Sequence, residues 1–173
     1  MKTAAMALWL VILVLPTFAQ SPANVCALPK SLQDTVAVKY PGAKVITLSD
    51  LNEDDQQFFQ KDHHGACPGL VKVDFYGDDK PTFALSLATP AQTGFNTQLV
   101  VAHLLGANWK TTVLGETGGP APAIWSEKPG AYEGVYGAKM RSTRSVILFV
   151  GYESWAVMYA WDGRKVKHIQ IND

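Results

Sequence analysis

The chain of 173 residues is 47% hydrophobic and 17% charged, apolar enough to fold and too apolar for a disordered tail. Fifteen Lys and Arg balance fifteen Asp and Glu. That balance leaves no net field to favour nucleic acid or an anionic membrane.

Lys2 supplies a positive start, and Ala4 to Leu15 is an uncharged, mostly aliphatic stretch. Pro16-Thr17-Phe18-Ala19 then breaks the helix and sets small residues before a cut. The expectation is a cleavable export signal over 1–19, with Ala23 as a second cleavage position. The apolar stretch is shorter than the about 20 residues of a membrane span, and no later run is long enough either. Residues 20–173, about 154 of them, then form one globular domain. Cys26 and Cys67 are an even pair in an exported chain, which reads as a disulfide closing a loop of about 40 residues.

Pro29 to Tyr40 predicts one amphipathic helix, with Pro29 in the first turn and Leu32, Val36 and Tyr40 at four-residue spacing. Pro41-Gly42 ends it. Lys44 to Leu48 is a short candidate strand, and Ser49 to His64 is polar and irregular, with room for a helical turn over Leu51 to Phe59. From Leu70 the period changes to two. Val71, Val73 and Phe75 pair in a hairpin with Phe83, Leu85 and Leu87 across a turn at 76–81. Gln98 to Leu105 and Trp109 to Leu114 form a second pair. Gly115 to Pro122 reads as a flexible loop, and Ala123 to Ser126 and Ala131 to Val135 as short edge strands. Val146 to Val150, Trp155 to Trp161 and Val166 to Ile171 close a meander, with Asp162-Gly163 as its hairpin turn. The expected fold is α+β and mainly antiparallel β: one N-terminal helix packed on a sheet of successive hairpins.

Three groups of residues carry functional candidates. Trp155, Tyr159 and Trp161 share one strand face with Val157, opposite Ala156, Met158 and Ala160. Such a row either stacks on sugar rings or a protein partner, joined by Tyr132 and Tyr136, or fills the core. In the core reading, the small-residue face admits a helix.

The second group is the segment Val73 to Pro81, which holds Asp74, Asp78 and Asp79 around Gly77. Locally it resembles the Asp-rich loop of FG-GAP-type exported repeats. Asp74 and Asp78 stand at matching positions, and Tyr76 and Thr82 stand where that pattern has further carboxylates. The resemblance implies calcium ligation by Asp74, Asp78 and Asp79; the alternative is a solvated hairpin turn. The third group is Asp62-His63-His64, whose adjacent histidines do not share a face and so read as solvated loop residues rather than zinc or copper ligands.

No Gly-x-Ser-x-Gly elbow, P-loop or His-Glu-x-x-His pair is present, and no motif calls for a cofactor. The sequence therefore favours an exported, non-enzymatic binding domain for a protein partner or a cell-envelope glycan. Its alternatives are a small hydrolase of envelope material and a calcium-stabilised structural module.

Overall fold

The computed structural model describes residues 24–152 and 154–172. The export-signal reading over 1–19 lies outside the described residues, as does Glu153. The elements are α1 (Lys30–Lys39), β1 (Lys44–Val45), α2 (Glu53–His63), β2 (Leu70–Lys72), β3 (Thr82–Pro90), β4 (Phe95–Leu105), β5 (Asn108–Gly119), β6 (Ala123–Glu127), β7 (Gly130–Glu133), β8 (Lys139–Ser142), β9 (Val146–Gly151), β10 (Trp155–Trp161) and β11 (Val166–Asn172). One sheet runs β1-β3-β4-β5, with β2 also paired to β3. A second runs β11-β10-β9-β6, and β7 pairs with β8 alone. Every pairing is antiparallel, so the chain has the expected α+β, mainly β architecture.

Among the described residues there are two α-helices rather than one. The first, α1, forms as its spacing predicts and lays Leu32 and Val36 on Leu85, Leu87, Val100, Ala102 and Trp109 of the first sheet. Trp109 Nε1 donates to Ser31 Oγ at 3.0 Å and pins the helix start. Pro29 is the N-cap, one position earlier than expected. The second helix, α2, occupies the segment that reads as irregular. Its signals are local: Asn52 caps by accepting from the Asp55 nitrogen at 2.9 Å, and Glu53, Asp54 and Asp55 fill the positive first turn. Lys61 and His63 sit in the last turn, and His64 ends the helix in the left-handed region at φ 36°. Only Leu51, Asp55 and Phe59 turn inward there, which is too thin an apolar stripe to stand out beside the surrounding acids.

The main core lies between the two sheets. Val73, Phe75, Ala84, Leu99 and Val101 meet Ile124, Ile147, Phe149 and Tyr159 there. On β9, Ile147 and Phe149 point to this core, while Val146, Leu148 and Val150 point to a second cluster with Met158 and Ala160. Both faces of β9 are therefore buried, which is why the strand reads as a continuous apolar run. The small-residue face of β10 is covered by the β7–β8 hairpin, through Met140 and Tyr132, and not by a helix.

The strand β5 runs on through Gly119, so the glycine-rich stretch from Gly115 is mostly strand rather than loop. Gly115 faces Leu99 at a bulge between Leu99 and Val100. The Tyr159 hydroxyl lies where a Cβ at Gly115 would be, so that glycine serves close packing and not flexibility. Gly69 is tighter still. A Cβ there would lie 2.6 Å from the Ile46 nitrogen and nearer to its carbonyl oxygen. Both are backbone atoms that cannot swing aside. Gly69→Ala should therefore cost about 1–3 kcal/mol as overpacking, read as a lower urea midpoint at unchanged slope. An unchanged midpoint would show that β2 shifts freely against Ile46.

Candidate functional site

The sequence-derived candidates occupy three separate places. Trp155, Tyr159 and Trp161 face the inter-sheet core. Tyr159 is buried, and its burial raises the phenol above its ordinary pKa. Trp155 meets Phe149 edge-on at 5.0 Å, and Trp161 meets Tyr76 edge-on at 5.2 Å. Tyr132 packs on the opposite face of the same sheet and donates its hydroxyl to the Lys128 carbonyl. Tyr136 stands out at 91% exposure, with φ 58°. The five aromatics thus do not share one surface.

The acidic turn is held by its own chain. Asp74 Oδ1 accepts from the Gly77 nitrogen at 2.9 Å. Asp78 Oδ2 meets Lys80 Nζ at 3.1 Å and His103 Nε2 at 3.2 Å. Desolvation pushes the Asp78 carboxyl upward. Hydrogen bonds from Lys80 and the charges of His103 and Lys80 outweigh it and hold the group below its ordinary pKa. Asp79 is in the left-handed region at φ 59° and exposed. Among the described residues, no three His, Cys, Asp or Glu side chains come together as a metal site. The charges that Asp78 meets come from the protein itself.

His103 extends this turn inward. Its Nδ1 lies 2.8 Å from Thr82 Oγ1, and its ring lies 4.5 Å from that of Tyr76. The order hydroxyl, imidazole, carboxylate matches that of a nucleophile relay. Thr82 is only 2% exposed, however, and its hydroxyl also donates to the Lys80 carbonyl at 3.2 Å. No sequence motif links Thr82, Asp78 and His103; they meet only through the β3–β4 register, in which Thr82 faces His103.

The adjacent histidines diverge, and His63 is not the solvated loop residue expected: it closes the last turn of α2 and is half-buried, because the helix turns it toward the aromatic cluster. His63 sits between Phe59 and Trp125, with ring centroids at 4.7 and 4.6 Å. Burial lowers its pKa against the pull of Asp62 and Glu127. His64 is exposed beyond the helix end.

A concave surface appears where no motif pointed. The helix α1 covers the outer face of the first sheet only as far as Tyr40. Past it, a groove of ≈ 630 Å³ runs between Tyr40, Pro41 and Ala43 on one wall and a floor of Thr89, Asn96, Gln98 and Glu116. Gln98 Nε2 donates to Glu116 Oε1 at 2.8 Å across the β4–β5 pair. Lys39 Nζ reaches Thr111 Oγ1 at 3.3 Å near the helix end. The signal for this floor was present in β4. Val100 and Ala102 are apolar and lie under α1, whereas Gln98 and Asn96 continue the same face as amides.

Comparison with protein-family models, with curated proteins and with solved structures finds no match to this chain. Cys26 and Cys67 form a disulfide, which is compatible with an extracytoplasmic location. Among the described residues, no helix is long and apolar enough to cross a membrane.

Proposed function

We propose that this protein is an extracytoplasmic binding module that holds a neutral cell-envelope glycan in the groove beside the end of α1. The observation that carries this reading is the groove's floor, where Thr89, Asn96, Gln98 and Glu116 present hydroxyl, amide and carboxylate groups together. Sugar hydroxyls both donate and accept, and amides offer both functions from one side chain. The half-buried ring of Tyr40 on the wall supplies a flat apolar face for a sugar ring. The volume lies in the range of small-molecule sites.

The lining supports a reading of binding without cleavage. Glycoside hydrolysis needs two carboxyl groups flanking one bond. Among the described residues lining the groove, Glu116 is the one carboxylate, and it already accepts from Gln98. The sequence reading of 1–19 as an export signal and the Cys26–Cys67 disulfide support the location.

Calorimetric titration with peptidoglycan fragments and chito-oligosaccharides tests the reading. Asn96→Ala and Gln98→Ala should each weaken binding about fivefold, the worth of one net hydrogen bond of about 1 kcal/mol, at unchanged melting temperature. No heat with any glycan, or binding that ignores both substitutions, would overturn it.

A further inference from the structure

The neutral net charge hides a strong segregation. Residues 50–79 carry eight Asp or Glu against two Lys, while residues 128–168 carry seven Lys or Arg against three acids. The fold gathers part of that positive charge in one place. Lys139 and Arg141 of β8, with Lys165 and Lys167 at the start of β11, line a cleft of ≈ 420 Å³ with Met140 and Ile169 between them. We propose that this cleft binds a linear polyanion whose charges are phosphate diesters, an envelope polymer of the polyol-phosphate kind.

The four cations come from two chain segments that are far apart in sequence. The outer-face cluster in which Met140 and Ile169 pack brings them together. No carboxylate lines the cleft among the described residues. The nearest acids are at its margins: Glu133 is paired in register with Lys139, and Asp162 Oδ2 meets Lys167 Nζ at 3.2 Å. Asp162 is itself engaged by the backbone nitrogens of Lys165 and Arg164, which hold its carboxyl down at about 2, so it stays charged and fixed to the turn.

The spacing favours a polymer over a single ion. Residues two apart on a strand share a face at about 6.6 Å, so Lys139 and Arg141 of β8 lie side by side, and Lys165 and Lys167 add two more cations from the turn and start of β11, a row long enough for successive charges of one chain. A chain with repeating charge can meet successive members. Phosphate suits the cations themselves: the Arg guanidinium offers a two-pronged donor for tetrahedral oxyanions, and Lys a compact charge. The acidic stretch around α2 repels the same polymer and directs it to this face. The cleft shares no lining residue with the glycan groove, so this proposal stands or falls separately from that reading.

The test is fluorescence anisotropy of the full mature chain with labelled poly(glycerol phosphate), with dextran sulfate and duplex DNA as competitors. Affinity should fall about fifty-fold between about 50 and about 200 mM salt, as four contacts on a single-stranded polyanion predict. The pairs Lys139→Gln with Arg141→Gln, and Lys165→Gln with Lys167→Gln, should each weaken binding at least about tenfold, since each removes two phosphate contacts. Lys72→Gln with Lys110→Gln, both exposed and outside the cleft, should change it little. Melting temperature serves as the folding control for each pair. Absence of binding at low salt, or binding unaffected by both cleft pairs, would overturn the proposal. So would equal displacement by dextran sulfate, which would mean charge alone, or tighter binding of DNA. Self-association that the cleft variants abolish, without polymer binding, would assign the face to a second copy instead.

Discussion

Phe149→Ala should remove about 3–5 kcal/mol of folding free energy, the range for a large aromatic truncated in a packed core. Phe149 is 2% exposed and stands in the middle of the inter-sheet cluster. Its neighbours in register are Ile124 on β6 and Val157 on β10, and Trp155 meets its ring edge-on at 5.0 Å. None of these side chains can fill the space left by the ring without leaving its own contacts, so the transfer loss and the cavity add. The fall in urea midpoint should come with an unchanged slope, since the same surface is exposed on unfolding. Val38→Ala, on the solvent face of α1 at 81% exposure, is the control and should stay within about 0.5 kcal/mol. A loss below about 1 kcal/mol at Phe149 would mean that the two sheets do not close on one another there.

The same cluster shows what periodicity could and could not reveal. The alternation of Trp155, Val157, Tyr159 and Trp161 against Ala156, Met158 and Ala160 correctly separates two faces of β10. It does not say what lies against each. The small face reads as room for a helix, yet the β7–β8 hairpin fills it: Ala131 to Val135 reads as a short edge strand, but nothing in Lys139–Ser142 announces its partner. The four-residue β8 is defined by its partner and not by its own pattern. α2 reads as no more than a helical turn over Leu51 to Phe59, for the opposite reason. Its capping signals at Asn52 and Glu53 to Asp55 are clear, but its buried stripe is short, and acidic composition reads as loop when apolar spacing is the main guide.

Turn chemistry, by contrast, was readable residue by residue. Asp162 Oδ1 accepts from the Arg164 and Lys165 nitrogens at 2.8 and 2.9 Å, and Gly163 takes φ 98°, as the Asp-Gly pair predicts. The candidate sites were less readable because each depends on register or on layers. Asn96, Gln98 and Glu116 become neighbours only once β5 continues past Gly115. Lys139 and Lys167 become neighbours only once β8 lies over β11. Asp78 meets Lys80 nearby and His103, which the β3–β4 register delivers from 25 positions away. Short-range patterns carry elements and turns; sites made between strands need the sheet order.

Reduction of the Cys26–Cys67 disulfide should cost about 4 kcal/mol, the chain-entropy value for a closed loop of this length. The bond spans 41 positions and joins the segment ahead of α1 to the segment ahead of β2. Both sulfurs lie near the Ile46 carbonyl oxygen, at 3.8 and 3.6 Å, so the bridge is seated on β1's continuation beside Gly69. Once it is cut, α1 is still held by Leu32, Val36 and the Trp109–Ser31 hydrogen bond. The reduced protein should therefore remain folded at room temperature and melt about 8–16 °C lower, from about 2–4 °C per kcal/mol at this size. Calorimetry with and without reductant, and of Cys26→Ser with Cys67→Ser, reads this directly. Thiol titration of the denatured, unreduced protein should find no free cysteine among the two. Because Gly69 and Cys67 share the Ile46 contact, Gly69→Ala should cost less in the reduced protein than in the oxidised one: a segment released at Cys67 can move away from the new methyl group. Equal costs in both states would show that β2 is positioned by its pairing with β3 alone and that the bridge acts only on the unfolded chain.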